Sequence, residues 1–170
     1  VEMRECGIEP DAISYFAAIS ACGTGRQWQQ GMALLAEMEQ YGLKTDVTSY
    51  GIAINACGKA QQWLKALSLL EQLKRKQCVP SEITYNAAIS ACEKGHQWQH
   101  ALSLLREVHH SSLATTVTSY NAAISACEKC QYWQLSLHLF DEVRQRKLNP
   151  DVITFGAAMS ACEKGHQWQG

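Results

Sequence analysis

Trp28, Trp63, Trp98, Trp133 and Trp168 stand 35 residues apart, with no insertion or deletion to disturb the interval. The same interval separates Tyr15, Tyr50, Tyr85, Tyr120 and Phe155, and again Cys22, Cys57, Cys92, Cys127 and Cys162. Segment 87–99, AAISACEKGHQWQ, returns at 157–169 with Ile89 changed to Met159. A fixed period of this size marks a solenoid, in which each unit buries its apolar face only against its neighbours. Function is therefore to be sought on a surface that repeats.

Each unit reads as two antiparallel helices. Tyr85, Ala88, Ile89 and Cys92 fall at i, i+3, i+4 and i+7, one amphipathic stripe, and Trp98, Ala101, Leu102, Leu105 and Val108 form a second. The turn around 94–97 is short enough to enforce a hairpin, and Pro10, Pro80 and Pro150 punctuate the passage to the next unit. Gly25, Gly95 and Gly165 stand where a left-handed residue would end the first helix, with Ala60 and Cys130 in their place elsewhere. Asp46, Thr48 and Ser81 suit N-caps. The small residues Gly31, Ala66, Ala101 and Ser136 let the paired helices approach, and the tryptophans beside them are expected to be buried core, each costing roughly 3–5 kcal/mol on truncation. A row of base-stacking platforms is their functional alternative.

Composition narrows the field without naming a ligand. With 46% hydrophobic residues and 15 Lys plus Arg against 16 Asp plus Glu, the net charge is −1, so nucleic-acid binding would depend on where the charges sit. No apolar run nears the roughly 18 residues of a membrane span. Five of the eight cysteines share one register. Stacked helices lie roughly 8–10 Å apart and a disulfide needs Cα atoms within about 7 Å, so these are expected to be small core residues in a reducing setting. Cys127 and Cys130 form a C-x-x-C, but no second close pair supplies the remaining zinc ligands, and no metal or cofactor is expected. His96, His100, His109 and His110 read as surface or turn residues, with only His96 recurring, as His166. The chain starts at Val1 and stops at Gly170 within a unit, which reads as a fragment, and residues 1–11 and 167–170 are expected to be its least ordered parts.

The run VTSYNAAISACEK at 117–129, ALSLL at 101–105 and the closing LNPD at 148–151 resemble a pentatricopeptide repeat protein. The resemblance covers nearly the whole chain: residues 1–11 as the tail of one unit, complete units at 12–46, 47–81, 82–116 and 117–151, and the start of another at 152–170. The tetratricopeptide family competes, but its unit is about 34 residues long. The tryptophans depart from the usual aliphatic residue. The resemblance implies an all-α, right-handed α-solenoid of stacked helix-turn-helix hairpins that binds single-stranded RNA at about one nucleotide per unit.

It also implies which residues would do so. The family's base-selecting pair is the residue after the conserved tyrosine with the last residue of the unit: Phe16 with Asp46, Gly51 with Ser81, Asn86 with Thr116, and Asn121 with Asp151, while Gly156 opens the next pair. Asn with Asp resembles the uridine reader and Asn with Thr a pyrimidine reader. Gly51 and Gly156 have no side chain to bond a base, and Phe16 offers only a ring face. An asparagine is both donor and acceptor and can meet a Watson–Crick edge, although near a helix start it can also serve only local geometry. The wedge between bases would be Ile13, Thr48, Ile83, Thr118 and Ile153, with threonine the smaller and wetter one. Lys59, Lys94, Lys129 and Lys164 match the family's backbone-contacting lysine, and also suit the helix dipole. Glu93, Glu128 and Glu163 beside three of them temper the field.

These readings predict an RNA-binding module without catalysis of its own, serving organellar RNA processing, stability or editing in a mitochondrion or plastid, with protein partners in that processing. Neither a membrane nor a small-molecule substrate is expected as a partner. The alternative is a peptide-binding scaffold of tetratricopeptide type. No H-x-E with P-C-x-x-C pattern and no paired carboxylate site argues for an enzyme within this stretch.

Overall fold

The computed structural model describes residues 11–165 apart from 26, 44 and 112. Pro10, His166, Trp168 and, apart from Asp11, the looser ends expected at 1–11 and 167–170 lie outside the described residues. Nine helices, each of 13 residues, follow one another among those described: α1 Ala12–Thr24, α2 Trp28–Gln40, α3 Val47–Lys59, α4 Trp63–Arg75, α5 Glu82–Lys94, α6 Trp98–His110, α7 Val117–Lys129, α8 Trp133–Gln145 and α9 Val152–Lys164. The chain is an all-α helical-repeat solenoid. None of these helices is long and apolar enough to cross a membrane.

The helices form two layers of unequal density. The odd-numbered helices pack side by side, α1 on α3, α3 on α5, α5 on α7 and α7 on α9, while each even-numbered helix lies across the odd-numbered helices on either side of it. The backbones of successive even-numbered helices stay farther apart and meet only through long side chains, such as Lys74 with Glu107 and Trp63 with His100. The cause is side-chain size. The odd helices meet through Ala53, Ala56, Ala88, Ala91, Ala123 and Ala126, all buried, with Tyr50, Tyr85 and Tyr120 filling the inner ends. A Cβ on Gly23 would lie 2.9 Å from the Cβ of Ala56, and one on Gly58 would lie 3.1 Å from that of Ala91, so the odd helices nearly touch there. Bulkier Leu69, Leu70, Leu73, Leu105 and Val108 fill the space between layers. At 25 cal/mol per Å², each such side chain contributes about 1.5–3 kcal/mol.

Caps set the helix boundaries. Asp11, Asp46, Ser81 and Asp151 each accept from backbone N–H groups in the first turn of the helix that follows, and Asp46 and Asp151 close reciprocal capping boxes with Ser49 and Thr154. Thr48 lies inside α3 and does not cap it. At the other end the expected left-handed glycine is misplaced by one residue. Gly25, Gly95 and Gly165 have φ of −78°, −85° and −80°, and the left-handed residues are Gln61, His96 and Gln131. In each case the next N–H bonds back five residues along the chain, as Gln97 N–H does to the Cys92 carbonyl at 2.9 Å.

Glycine at these positions answers to the tryptophans instead. A Cβ on Gly95 would collide with the indole of Trp63, 2.6 Å from its Cγ, and one on Gly165 would lie 2.6 Å from Cδ2 of Trp133. Each indole is laid over the hairpin turn of the following unit, which covers one face. Trp28, Trp63, Trp98 and Trp133 are therefore half-buried, not core as the sequence suggested. Trp98, whose following turn carries Cys130 in place of glycine, packs tilted on Tyr132 with ring centroids 4.3 Å apart.

The tyrosines reach polar partners at the seam between layers. Tyr50 donates to Glu39 at 2.9 Å and Tyr85 to Glu107 at 2.8 Å, and Lys76 and Lys74 of the adjoining unit pair with the same two carboxylates. Around Tyr120 the partner is His109, a half-buried histidine and not a surface one as expected. Arg146 can only donate, so His109 Nδ1 accepts at 3.2 Å, and its Nε2–H faces the Tyr120 hydroxyl at 3.1 Å. Burial, followed by the Arg146 charge, lowers the His109 pKa. The buried cysteines are core residues: burial pushes the thiols of Cys57, Cys92 and Cys127 up to about 11, 12 and 12.

Two outcomes follow from this packing. Gly95→Ala should lower stability by about 1–2 kcal/mol in urea unfolding, through overpacking against Trp63, and Trp63→Leu should cancel most of that loss in the double variant. Because His109 titrates lower folded than unfolded, stability should hold above its ordinary value of 6.5 and fall as pH drops below it. Midpoints measured from pH 7.5 to 5 should decline less steeply in His109→Gln.

Candidate nucleic-acid interface

Because the odd helices stack nearly in register, the N-cap of one lies beside the second turn of the one before. That brings the members of two sequence-predicted pairs together from residues 30 apart. Asn121, on α7, donates from Nδ2 to both carboxylate oxygens of Asp151, at 3.0 and 3.1 Å. Asn86, on α5, donates to the Thr116 hydroxyl at 3.4 Å and to Glu82 at 3.3 Å.

A third group, missed in the sequence, completes each cluster. The Ser119 hydroxyl donates to Asn86 Oδ1, and the Thr154 hydroxyl to Asn121 Oδ1 at 2.6 Å. Its signal was available: Ser14, Ser49, Thr84, Ser119 and Thr154 form an unbroken column of hydroxyl residues immediately before the aromatic position. Ser119 and Thr154 hold the carbonyl side of the preceding unit's amide, and the Thr84 hydroxyl stands 3.5 Å from where a Cβ on Gly51 would be.

The two clusters differ in how firmly they fix polarity. A carboxylate only accepts, so Asp151 compels the Asn121 amide to face it with nitrogen and leaves Oδ1 on the Thr154 side. The Thr116 hydroxyl can donate or accept, and Asn86 depends on Glu82 for its orientation. Hydrogen bonds from the Thr154 backbone and hydroxyl, then from Asn121, hold the Asp151 carboxyl below its ordinary range. Asn86 is half-buried, whereas Asn121 is only 7% exposed, seated between the stacked helices. Its second Oδ1 lone pair is the capacity it keeps for a ligand.

The remaining pairs are unlike these. Phe16 packs its ring on the core, and the Asp46 carboxylate caps α3. Gly51 is buried, and Gly156 is open, with nothing within 4 Å of a Cβ built there. Ser81 caps α5 and Thr116 occupies the cap of α7 without a side-chain bond to its backbone. The wedge row is exposed throughout: Ile13, Ile83 and Ile153 stand 72%, 76% and 65% in solvent, and Thr48 and Thr118 are exposed with them. Isoleucines so exposed take no part in the core.

The lysines divide into two kinds. Lys129 pairs with Glu93 and Lys164 with Glu128, each a carboxylate on the preceding odd helix and not the glutamate adjacent in sequence. Ser125 and Ser160 donate to the same carboxylates. Burial raises the Glu128 pKa, but the bonds and charge of Lys164 and Ser160 outweigh it and the carboxyl stays low. Among the described residues, Lys59 and Lys94 have no ion pair, and both line one cavity. No group of three or more metal-ligating side chains occurs among the described residues.

Three family models match this chain in succession: the PPR repeat family over residues 46–94, the PPR repeat over 83–113 and the pentatricopeptide repeat domain over 103–164. The chain belongs to the pentatricopeptide repeat family. Among solved structures, the pentatricopeptide repeat protein PPR10 from maize superposes with a TM-score of 0.80 at 25% identity, over 98% of this chain and 24% of its own. PPR10 in complex with an 18-nt psaJ RNA element gives 0.83 at 20% identity, over 95% and 23%. The PPR domain of Arabidopsis thaliana protein-only RNase P 1, in complex with tRNA, gives 0.76 at 12% identity, over 88% and 79%. This pentatricopeptide repeat chain thus spans about a quarter of the PPR10 chain. A search of curated protein sequences finds no match.

The buried asparagine has a consequence for stability. Asn121→Ala should cost about 1–2 kcal/mol, read in urea unfolding, because it strips bonds from Asp151 and Thr154 inside the stack; Asn86→Ala, more exposed, should cost less.

Proposed function

We propose that this chain is a single-stranded RNA-binding module that reads about one nucleotide per unit through Asn86 with Thr116 and Asn121 with Asp151. The observation that carries the reading is the pair of side-chain amides, in equivalent places on successive odd helices, each oriented by groups from two directions. The exposed isoleucines beside them supply apolar surface for base faces, at roughly 1–3 kcal/mol per stacked base. Positions Phe16, Gly51 and Gly156 contribute space or a ring in place of a hydrogen bond, so selectivity concentrates in the later units. The structures of PPR10 with RNA and of the RNase P 1 repeat domain with tRNA support RNA as the ligand class.

The repeat region acts as a scaffold and brings no catalysis of its own. Its setting is organellar RNA processing, stability or editing, in a mitochondrion or plastid, where protein partners would share the task. A peptide-binding scaffold is the second reading, favoured by one observation: two of the four lysines are already neutralised by glutamates.

Fluorescence anisotropy separates these readings. Short single strands carrying uridine should bind more tightly than the same strands carrying adenosine, and extended or helical peptides of equal length should not compete. Asp151→Asn frees the Asn121 amide to turn over, and should shrink the uridine preference by roughly fivefold, the equivalent of about 1 kcal/mol. Equal affinity for both strands would sink the reading code, and tighter binding of the peptide would favour the scaffold.

A further inference from the structure

Position 23 and its equivalents decide which lysines are free. Glu93 and Glu128 each reach the lysine 36 residues on, but Gly23 and Gly58 occupy the same place in the earlier units, and Lys59 and Lys94 are left without a carboxylate. The glycines are held there by packing. The odd helices come so close at Ala56 and Ala91 that a Cβ on Gly23 or Gly58 would press into them. At that end of the stack Gly23, Thr24, Lys59, Gln61 and Lys94 surround a solvent-open cavity of about 410 Å³.

Building on the RNA-binding reading, we propose that the chain grips the RNA phosphodiester backbone through Lys59 and Lys94 alone, and that Glu93 and Glu128 withdraw Lys129 and Lys164 from it. Two uncompensated ammonium groups on adjacent helices bordering one cavity provide a place for a phosphate. A lysine already bonded to a half-buried carboxylate, itself fixed by a serine, would have to break that pair first. The stack then has a cationic end, at α1 to α5, and a base-selecting end, at α5 to α9. A bound strand is fixed in polarity by that division.

Salt dependence of RNA binding tests this, since log affinity against log salt has a slope of about −0.7 per neutralised phosphate for single strands. Lys59→Gln and Lys94→Gln should each flatten the slope by about 0.7. Glu93→Gln should steepen it by about 0.7, by releasing Lys129, and the charge-neutral double variant E93Q/K129Q should return it to the wild-type value. A second arm uses inorganic pyrophosphate, followed by NMR of the lysine side chains, where Lys59 and Lys94 should shift and Lys129 and Lys164 should not. RNA binding to which all four lysines contribute equally overturns the division and leaves the RNA reading intact. Pyrophosphate bound at Lys59 and Lys94 without any RNA binding supports the cation site and overturns RNA as its ligand. Absence of both overturns both.

Discussion

Close contact between the odd-numbered helices is the constraint from which the rest of the molecule follows. Alanine, glycine, serine and cysteine on those faces let the axes approach until the Cβ of Ala56 leaves no space for one on Gly23. The even-numbered helices carry leucines and fit across the seams, their backbones kept apart and bridged only by long side chains. A layer of thin helices backed by a layer of thick ones, repeated at a constant interval, can only stack and bend. It cannot close on a single core. The same closeness brings residues 30 to 36 apart within hydrogen-bonding distance, and so joins Asn121 to Asp151 and Thr154, Asn86 to Thr116 and Ser119, and Glu93 to Lys129.

Those clusters do two things at once. Asp151 caps α9 through the Thr154 backbone while its other contacts steer the Asn121 amide, and Thr154 closes the capping box while bonding Asn121 Oδ1. A local device for starting a helix is thereby shared with the neighbouring helix. The amide's polarity comes at no added side-chain entropy, because the groups that set it are already immobilised by the cap. Where the cap residue is threonine, as at Thr116, the coupling weakens: no side-chain bond to the α7 backbone forms, and the partner can donate as well as accept.

Much of this was legible from the sequence because the repeat length converts local patterns into long-range ones. Helix type, the pairing of Asn86 with Thr116 and of Asn121 with Asp151, and the exposure of the isoleucine row all follow from position within the unit. What failed was local geometry at the hairpin. Gly95 was read as a left-handed terminus, yet it caps the helix with a negative φ and His96 takes the positive one, while Trp63 of the previous unit leaves no space for a side chain at Gly95. Trp63 was read as core for the same reason, that its cover comes from a turn and not a helix. His109 was read as surface, because Arg146, whose charge adds to burial in lowering its pKa, lies 37 residues away.

Electrostatics was the least legible property, and it shows how a net charge of −1 can conceal a polarised molecule. In sequence, Glu93 neighbours Lys94, and simple proximity would cancel the two. On a helix, residues i and i+1 point about 100° apart, so adjacent charges do not meet. The stack supplies the true partner: Glu93 leans onto α7, to Lys129, and Lys94 turns to a unit whose glutamate has been replaced by Gly58. Glu93 and Glu128 therefore each pair with the lysine of the next unit, and Gly23 and Gly58 leave Lys59 and Lys94 without such a partner. Small residues chosen by helix packing thus determine where positive charge survives, and geometry and electrostatics are set by the same substitution.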